Sequence, residues 1–286
     1  YSDYGKGIPV DPLTSGFIIG SITKTFIATA IGQLVAAGTV SWDDPVLLFM
    51  PEFQMYDPVV TREITIRDLL CHRSGLGTFE GDLTWFRSIY DRSEAIYRAR
   101  FLEPAFDFRT GFGYSNLMFL VAGQIIPRVA ESSWDHFIEQ RLFSPLGMER
   151  STTGFAELEA MANVATPHTV IRDVIVPIAH DDIDNMAPAG AINSSANDMA
   201  KWLLLQTGNG VFGGKQIVNS AVIDETRKPH NLQQVSNRAK ELNPWTHFSA
   251  YGLGWGIHEV KGLRLITHTG GTMGLPPVAM TMWSAE

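Results

Sequence analysis

The sequence predicts an α/β protein in two parts: an antiparallel sheet flanked by helices, and a mostly helical region. Three observations predict it. The stretch FIIGSITKTFIATAIGQLVAAG, residues 17–38, holds its apolar residues at helical spacing. Further helical patterns fill the middle of the chain. Strand-like runs with short connections gather at the C-terminus, in YGLGWGIHEV, LRLITHTGG and VAMTMW. The sheet-bearing part is therefore expected from residues 1–45 and 210–286, and the mainly helical part from residues 46–209.

The elements follow in order. Ile22, Phe26, Ile27, Ala30, Ile31, Leu34 and Val35 give the helix from Ser21 to Ala37 a wide apolar face, with Gly38 placed to end it in a left-handed cap. VSWDDPVLLFMPEF reads as a turn, a short helix and a proline stop. ITIRDLLCHRSGLG reads as a short helix capped by Thr65. DRSEAIYRARF is a helix expected to be capped near Ser93. NLMFLVAGQIIPRVA is another, in which Pro127 predicts a kink or an early end. SSWDHFIEQRLFSPLGM is helical. HTVIRDVIVPI has strand character within an irregular stretch. SSANDMAKWLLLQTGNG starts a helix at Ser195 or Asn197. In EVKGLR, Lys261 and Gly262 form the turn of a hairpin.

Bulk properties narrow the function. A chain of 286 residues with 45 % hydrophobic content can bury a sizeable core. The net charge is −8, and no basic run interleaved with aromatics occurs, which argues against a nucleic-acid partner. The single cysteine, Cys71, can form no internal disulfide and no Cys-x-x-Cys zinc site, and it reads as a small buried hydrophobe. No apolar stretch approaches the roughly 20 residues of a transmembrane helix. The chain begins at Tyr1, so the lack of a leader carries no information on export. HDDID, residues 180–184, is expected to be a solvated acidic segment rather than a metal site.

Three short motifs carry chemistry. Ser21 and Lys24 lie three apart on one helix and so are neighbours. A serine hydroxyl is a weak nucleophile unless a base stands beside it. A lysine becomes such a base when burial or a second cation lowers its pKa. A Ser-x-x-Lys match is expected by chance about once in a chain of this size, so helix capping competes with catalysis as its explanation. GFGYSNLMF places Tyr114 and Asn116 two apart before a helix. Tyr114 there is either a proton-sharing phenol or phenolate, or a packed turn residue. Asn116 either binds a substrate amide or caps the helix. THTGGTMG offers His268 and Thr269, with glycines that let backbone pass closely; its alternative is a plain Gly-rich turn. The aromatics of LTWFRSIY, residues 83–90, fit either a cleft wall or helix core.

Together SITK, YSN and HTG resemble the serine hydrolase family of class C β-lactamases, D-alanyl-D-alanine carboxypeptidases and related esterases. A sister form of the signature carries Ser-Asp-Asn and Lys-Thr-Gly. LLCHRSGLG, SPLGM and PAGAINSSANDMAKW add to the likeness, which runs from about residue 10 to residue 280. The resemblance implies that Ser21 is the acylated nucleophile and that Lys24 and Tyr114 move its proton. It implies substrate contacts from Asn116, His268, Thr269 and Gly270, and an oxyanion hole from the backbone N–H groups of Ser21 and Gly271. It implies a small-molecule or peptide substrate, no metal or organic cofactor, and a periplasmic or secreted location. The oligomeric state is left open.

Two departures from the family pattern matter. His268 stands where dedicated β-lactamases carry lysine, and an unperturbed imidazole is mostly neutral at pH 7. Arg264 is four residues back, about 13 Å by strand rise, too far to replace that lysine. Esters, D-amino-acid peptides or amides are therefore the expected substrates. A class C-type β-lactamase and a non-catalytic penicillin-binding or sensor module are the alternatives. The second departure concerns the ends: the likeness implies a helix and a β-hairpin before the Ser-x-x-Lys helix, and a strand and a helix after the segment VAMTMW, so a fragment of a longer enzyme is expected.

Overall fold

The computed structural model describes residues 1–242 and 244–284. Its five-stranded sheet is built from β1 (Asn231–Leu232), β2 (Ser249–Tyr251), β3 (Gly256–Val260), β4 (Leu263–Thr272) and β5 (Leu275–Ser284). The spatial order is β5-β4-β3-β2-β1, antiparallel throughout. Lys261 (φ 55°) and Gly262 (φ 77°) form the expected two-residue turn between β3 and β4. β1 leaves no mark in the sequence, because two residues are too few to show alternation.

Helix α1 spans Thr23–Ala36, after a tight 3₁₀ turn at Gly20–Ile22. Its residues are buried nearly all round rather than on one face. The threonines this demands are satisfied locally: Thr25 Oγ1 donates to the Ile22 carbonyl and Thr29 Oγ1 to the Thr25 carbonyl, each at 2.8 Å. Gly38, at φ 74°, ends the helix with paired bonds from its own N–H to the Val35 carbonyl and from Thr39 N–H to the Leu34 carbonyl. Phe26 of α1 stacks on Trp202, ring centroids 3.8 Å apart.

Around α1 stand α2 (Ile66–Leu70), α3 (Asn116–Ala130), α4 (Ala187–Gly190), α5 (Ala196–Thr207) and α6 (Ser220–Thr226). Thr65 caps α2 through a reciprocal box with Asp68. Asp68 is fully buried and also binds Arg73 and Arg109. Ser195 caps α5. The helix at Arg92–Tyr97 is capped by Asp91 rather than Ser93, because Asp91 lies three residues before the Glu94 N–H that it accepts. Pro127 does not stop α3, which runs on to Ala130 and ends at Glu131 in the left-handed region. The residues before Pro127 are buried along most of the helix, so tertiary packing outweighs the one lost backbone bond. The helix begun at Trp134 loosens into a π turn at Glu139–Phe143. The strand character at 168–177 is a hairpin, His168–Ile171 with Val174–Pro177.

Two close approaches position the site. A Cβ on Gly123 of α3 would lie 2.3 Å from Pro188, so this glycine lets α4 dock against α3. A Cβ on Gly270 of β4 would lie 1.8 Å from the Ile19 carbonyl oxygen, and one on Gly20 would lie 2.8 Å from Gly271 N. Strand and turn therefore meet backbone to backbone.

Candidate active site

Ser21 follows Gly20, whose φ of 54° turns the chain sharply into the 3₁₀ turn before α1. The contact with β4 brings Gly271 N alongside this turn. The β4–β5 register shifts between Gly270 and Thr272, which places Gly271 at an irregularity next to the serine.

Lys24 lies beneath Ser21, fully buried. Its Nζ is 3.1 Å from Ser21 Oγ, 2.8 Å from Asn116 Oδ1 and 2.7 Å from the Ala189 carbonyl oxygen. It also sits 4.8 Å from the Tyr114 ring centroid. Burial pulls its pKa down to about 7, partly offset by the charge of Asp82. The three partners suit both protonation states. As an ammonium, Lys24 donates to all three. As an amine it has two hydrogens and one lone pair. The two carbonyl-type oxygens of Asn116 and Ala189 only accept, so they take the hydrogens and the lone pair is left to Ser21 Oγ.

Tyr114 and Asn116 flank Ser115, which caps α3 by accepting from Met118 N–H. The turn is held from below by His72, whose Nδ1 accepts from Ser115 N–H at 3.0 Å. Burial lifts the Tyr114 phenol well above its ordinary range, with Ser21 as a hydrogen-bonding neighbour that opposes the shift. Tyr114 is thus a neutral phenol, not the phenolate that its sequence left open. His268 is pulled down to about 3 by burial and by Lys24. Its Nδ1–H donates to the Thr269 carbonyl at 2.7 Å, and its Nε2 accepts from the Tyr251 hydroxyl at 2.8 Å. The carbonyl fixes the proton on Nδ1, and burial keeps the ring neutral, so Nε2 is left to accept.

These groups floor a cleft of about 680 Å³. Ser21, Tyr114, Asn116, His268, Thr269 and Gly271 line it. Gly270 does not: it faces Ile19, so its role is to let β4 approach the serine turn rather than to touch a ligand. Phe79, Trp85, Phe86, Met186, Met273 and Leu275 form apolar walls. Trp85 and Phe86 thus belong to the cleft wall. His180 and Asp181 also reach the cleft, where the sequence suggested a solvated segment. Among the described residues no group of His, Cys, Asp and Glu is arranged to hold a metal. Cys71 is buried, and burial pushes its thiol up to about 12.

Three participants were not anticipated. The Ala189 carbonyl carries no side-chain signature. Tyr251 lies in a strand motif, YGLGWG, and its partnership with His268 depends on sheet register. Asp82 precedes the aromatic run and accepts from Asn116 Nδ2 at 2.9 Å; an acid three residues before Trp85 is a local hydrogen-bonding signal that could have drawn notice.

A Ser-x-x-Lys pair at a helix start, a Tyr-x-Asn turn and a Gly-rich strand, all at one cleft, make a serine hydrolase-like arrangement on a β-lactamase/transpeptidase-like fold. The family described as Beta-lactamase matches residues 1–278, and the chain belongs to that family. It is 28 % identical over 281 residues to penicillin-binding protein 4 of Amycolatopsis lactamdurans, covering 94 % of this chain and 69 % of the relative. It is 27 % identical over 276 residues to the unguisins hydrolase ungD′ of Aspergillus campestris, covering 90 % of this chain and 48 % of the relative. The chain thus spans about half the length of that relative. The solved structure of an octameric penicillin-binding protein homologue from Pyrococcus abyssi superposes with a TM-score of 0.81 at 26 % identity, over 95 % of this chain and 60 % of the other. A D-amino acid amidase from Ochrobactrum anthropi SV3 shares the fold, with a TM-score of 0.74 at 24 % identity over 96 % of this chain and 75 % of the other.

Proposed function

We propose that this chain hydrolyses small esters, amides or D-amino-acid peptides through an acyl-enzyme on Ser21. The observation that carries the reading is the Lys24 geometry: a buried amine 3.1 Å from Ser21 Oγ, with the Asn116 and Ala189 oxygens at 2.8 and 2.7 Å to take its hydrogens, so that in the neutral form favoured by burial its lone pair is left to the serine. A base is most effective when its pKa lies near the working pH.

Ser21 Oγ attacks the carbonyl carbon as its proton passes to Lys24 Nζ. The backbone N–H groups of Ser21 and Gly271 receive the oxyanion, a contribution that typically amounts to about 10²–10³ in rate per donor. The carbon–leaving-group bond then breaks, and the neutral Tyr114 phenol is placed to pass a proton to the departing amine or alcohol. Tyr114 recovers a proton from protonated Lys24, which returns to the amine. Water then attacks the ester on Ser21 as Lys24 takes its proton; the bond between the acyl carbon and Ser21 Oγ breaks, Lys24 passes the proton to Ser21 Oγ, and the acid is released. Asn116 and Thr269 orient the acyl part.

The neutral His268 favours substrates without a carboxylate at this end of the cleft. A class C-type β-lactamase would want a fixed cation there, so slow acylation by β-lactams, rather than efficient turnover, fits this reading. The names of the relatives, an unguisins hydrolase and a D-amino acid amidase, support hydrolysis without choosing the leaving group.

The test is intact-mass analysis after incubation with a fluorophosphonate and, separately, a penicillin, together with p-nitrophenyl ester hydrolysis. An adduct and ester turnover in the parent, both lost in Ser21→Ala, are expected. A stable penicillin adduct with no ester turnover would instead support a non-catalytic penicillin-binding module. No adduct with either reagent refutes the assignment of Ser21.

A further inference from the structure

The direction of the Asn116 amide decides what Lys24 can do. An asparagine can present either its oxygen or its nitrogen to a neighbour. With Oδ1 toward Lys24, it takes a hydrogen from the amine and leaves the lone pair to Ser21. With Nδ2 there, it would donate into that lone pair and compete with the serine. Asp82 makes the choice. Its carboxylate only accepts, so it claims Asn116 Nδ2 at 2.9 Å and turns Oδ1 to Lys24 at 2.8 Å. Asp82 is itself held on both sides. Its Oδ1 accepts from Trp85 Nε1 at 3.0 Å, and its backbone N–H donates to the Phe79 carbonyl at 3.1 Å. It follows Gly81, whose φ of 89° starts the 3₁₀ turn Asp82–Thr84.

We propose that Asp82 is a positioning residue: by fixing the Asn116 amide it aims the Lys24 lone pair at Ser21 Oγ. This inference rests on the acyl-enzyme reading above. Asp82 acts through Asn116 and need not touch substrate. It is also the anion that opposes the effect of burial on Lys24. The other titratable groups facing Lys24 are Tyr114, His72 and His268. Burial keeps all three uncharged at neutral pH.

Asp82→Asn keeps the shape, removes the charge and frees the Asn116 amide to turn. The expected result is a fall in kcat for a p-nitrophenyl ester of about 10- to 100-fold, with little change in KM. The acid limb of the kcat profile should also move to lower pH by roughly half a unit or more, because Lys24 loses its anion. Asp82→Glu, which keeps the carboxylate, should leave that limb where the parent has it. A merely structural role would lower the rate without moving the limb. A kcat within about twofold of the parent, or an unmoved limb, overturns the proposal. Asp82→Ser gives the same comparison should the Asn variant fail to fold. Fluorophosphonate labelling of the parent at Ser21, run alongside, separates the two readings. If the parent labels and Asp82→Asn behaves as the parent, Asp82 alone is wrongly assigned. If the parent does not label, the acyl-enzyme reading falls, and this inference with it.

Discussion

Lys24 Nζ stands 3.1 Å from Ser21 Oγ on a helix that is otherwise buried in apolar contacts. An amine that would be charged and solvated on a surface helix is here fully buried, with the Asn116 and Ala189 oxygens as its other partners.

The first prediction concerns pH. Only the neutral amine has a lone pair, so acylation should rise as pH passes through about 7, the value to which burial brings Lys24, and then level off. The kcat/KM of a neutral p-nitrophenyl ester between pH 5 and 9 measures this. A profile already flat from pH 5 upward would remove Lys24 as the base.

The second concerns stability. The folded pKa of Lys24 lies below its unfolded value of 10.5. Between about 7 and 10.5 the unfolded chain binds a proton that the folded chain does not, so this group makes stability rise with pH across that window. The slope approaches about 1.4 kcal/mol per pH unit. Below pH 7 both states are protonated and the full cost of burying the charge applies. Lys24→Met lacks this titration. Its stability relative to the parent, from urea unfolding, should therefore be most favourable at pH 6 and decline toward pH 9. Parallel curves for the two proteins would contradict the depressed pKa.

The third separates two adjacent glycines. Gly270→Ala puts a methyl within 1.8 Å of the Ile19 carbonyl oxygen, and backbone cannot yield there without moving β4 from the serine turn. A loss of about 2–3 kcal/mol or more is expected, with a fall in ester hydrolysis of order 10²-fold as Gly271 N leaves its place. Gly271→Ala meets nothing within 4 Å and should change stability by no more than about 0.5 kcal/mol. Thermal unfolding of the pair distinguishes them, and equal effects would mean that the approach is not as close as described.

Much of the site is legible in the sequence because its chemistry is local. Ser21 and Lys24 share a helix face, and Tyr114 and Asn116 share a turn, so spacing alone brings each pair together. The strands of the C-terminal sheet and the Lys261–Gly262 turn are local too. What cannot be read is what distant backbone supplies. The Ala189 carbonyl reaches Lys24 only because Gly123 admits Pro188, a contact 65 positions apart in the chain that leaves no pattern in either segment. Gly270 reads as a ligand contact in the sequence because a glycine beside a site looks the same whether it makes room for substrate or for another stretch of backbone. The protonation state of Tyr114 is hidden for a related reason: its burial comes from residues on several elements, and a two-residue motif does not encode them.

The floor and the walls of the cleft come from different kinds of structure. The floor is fixed by α1, α3 and β4, with Gly20 and Gly270 joining β4 to the serine turn and Gly123 joining α4 to α3. Much of the walls comes from connecting segments that carry Phe79, Phe86 and Met273. Substitutions in those segments can reshape which acyl groups enter while the proton-transfer geometry stays intact. Such a division allows substrate range to drift quickly in descent while the reaction type persists, and it makes the wall residues the natural targets for redirecting this protein toward a chosen ester or amide.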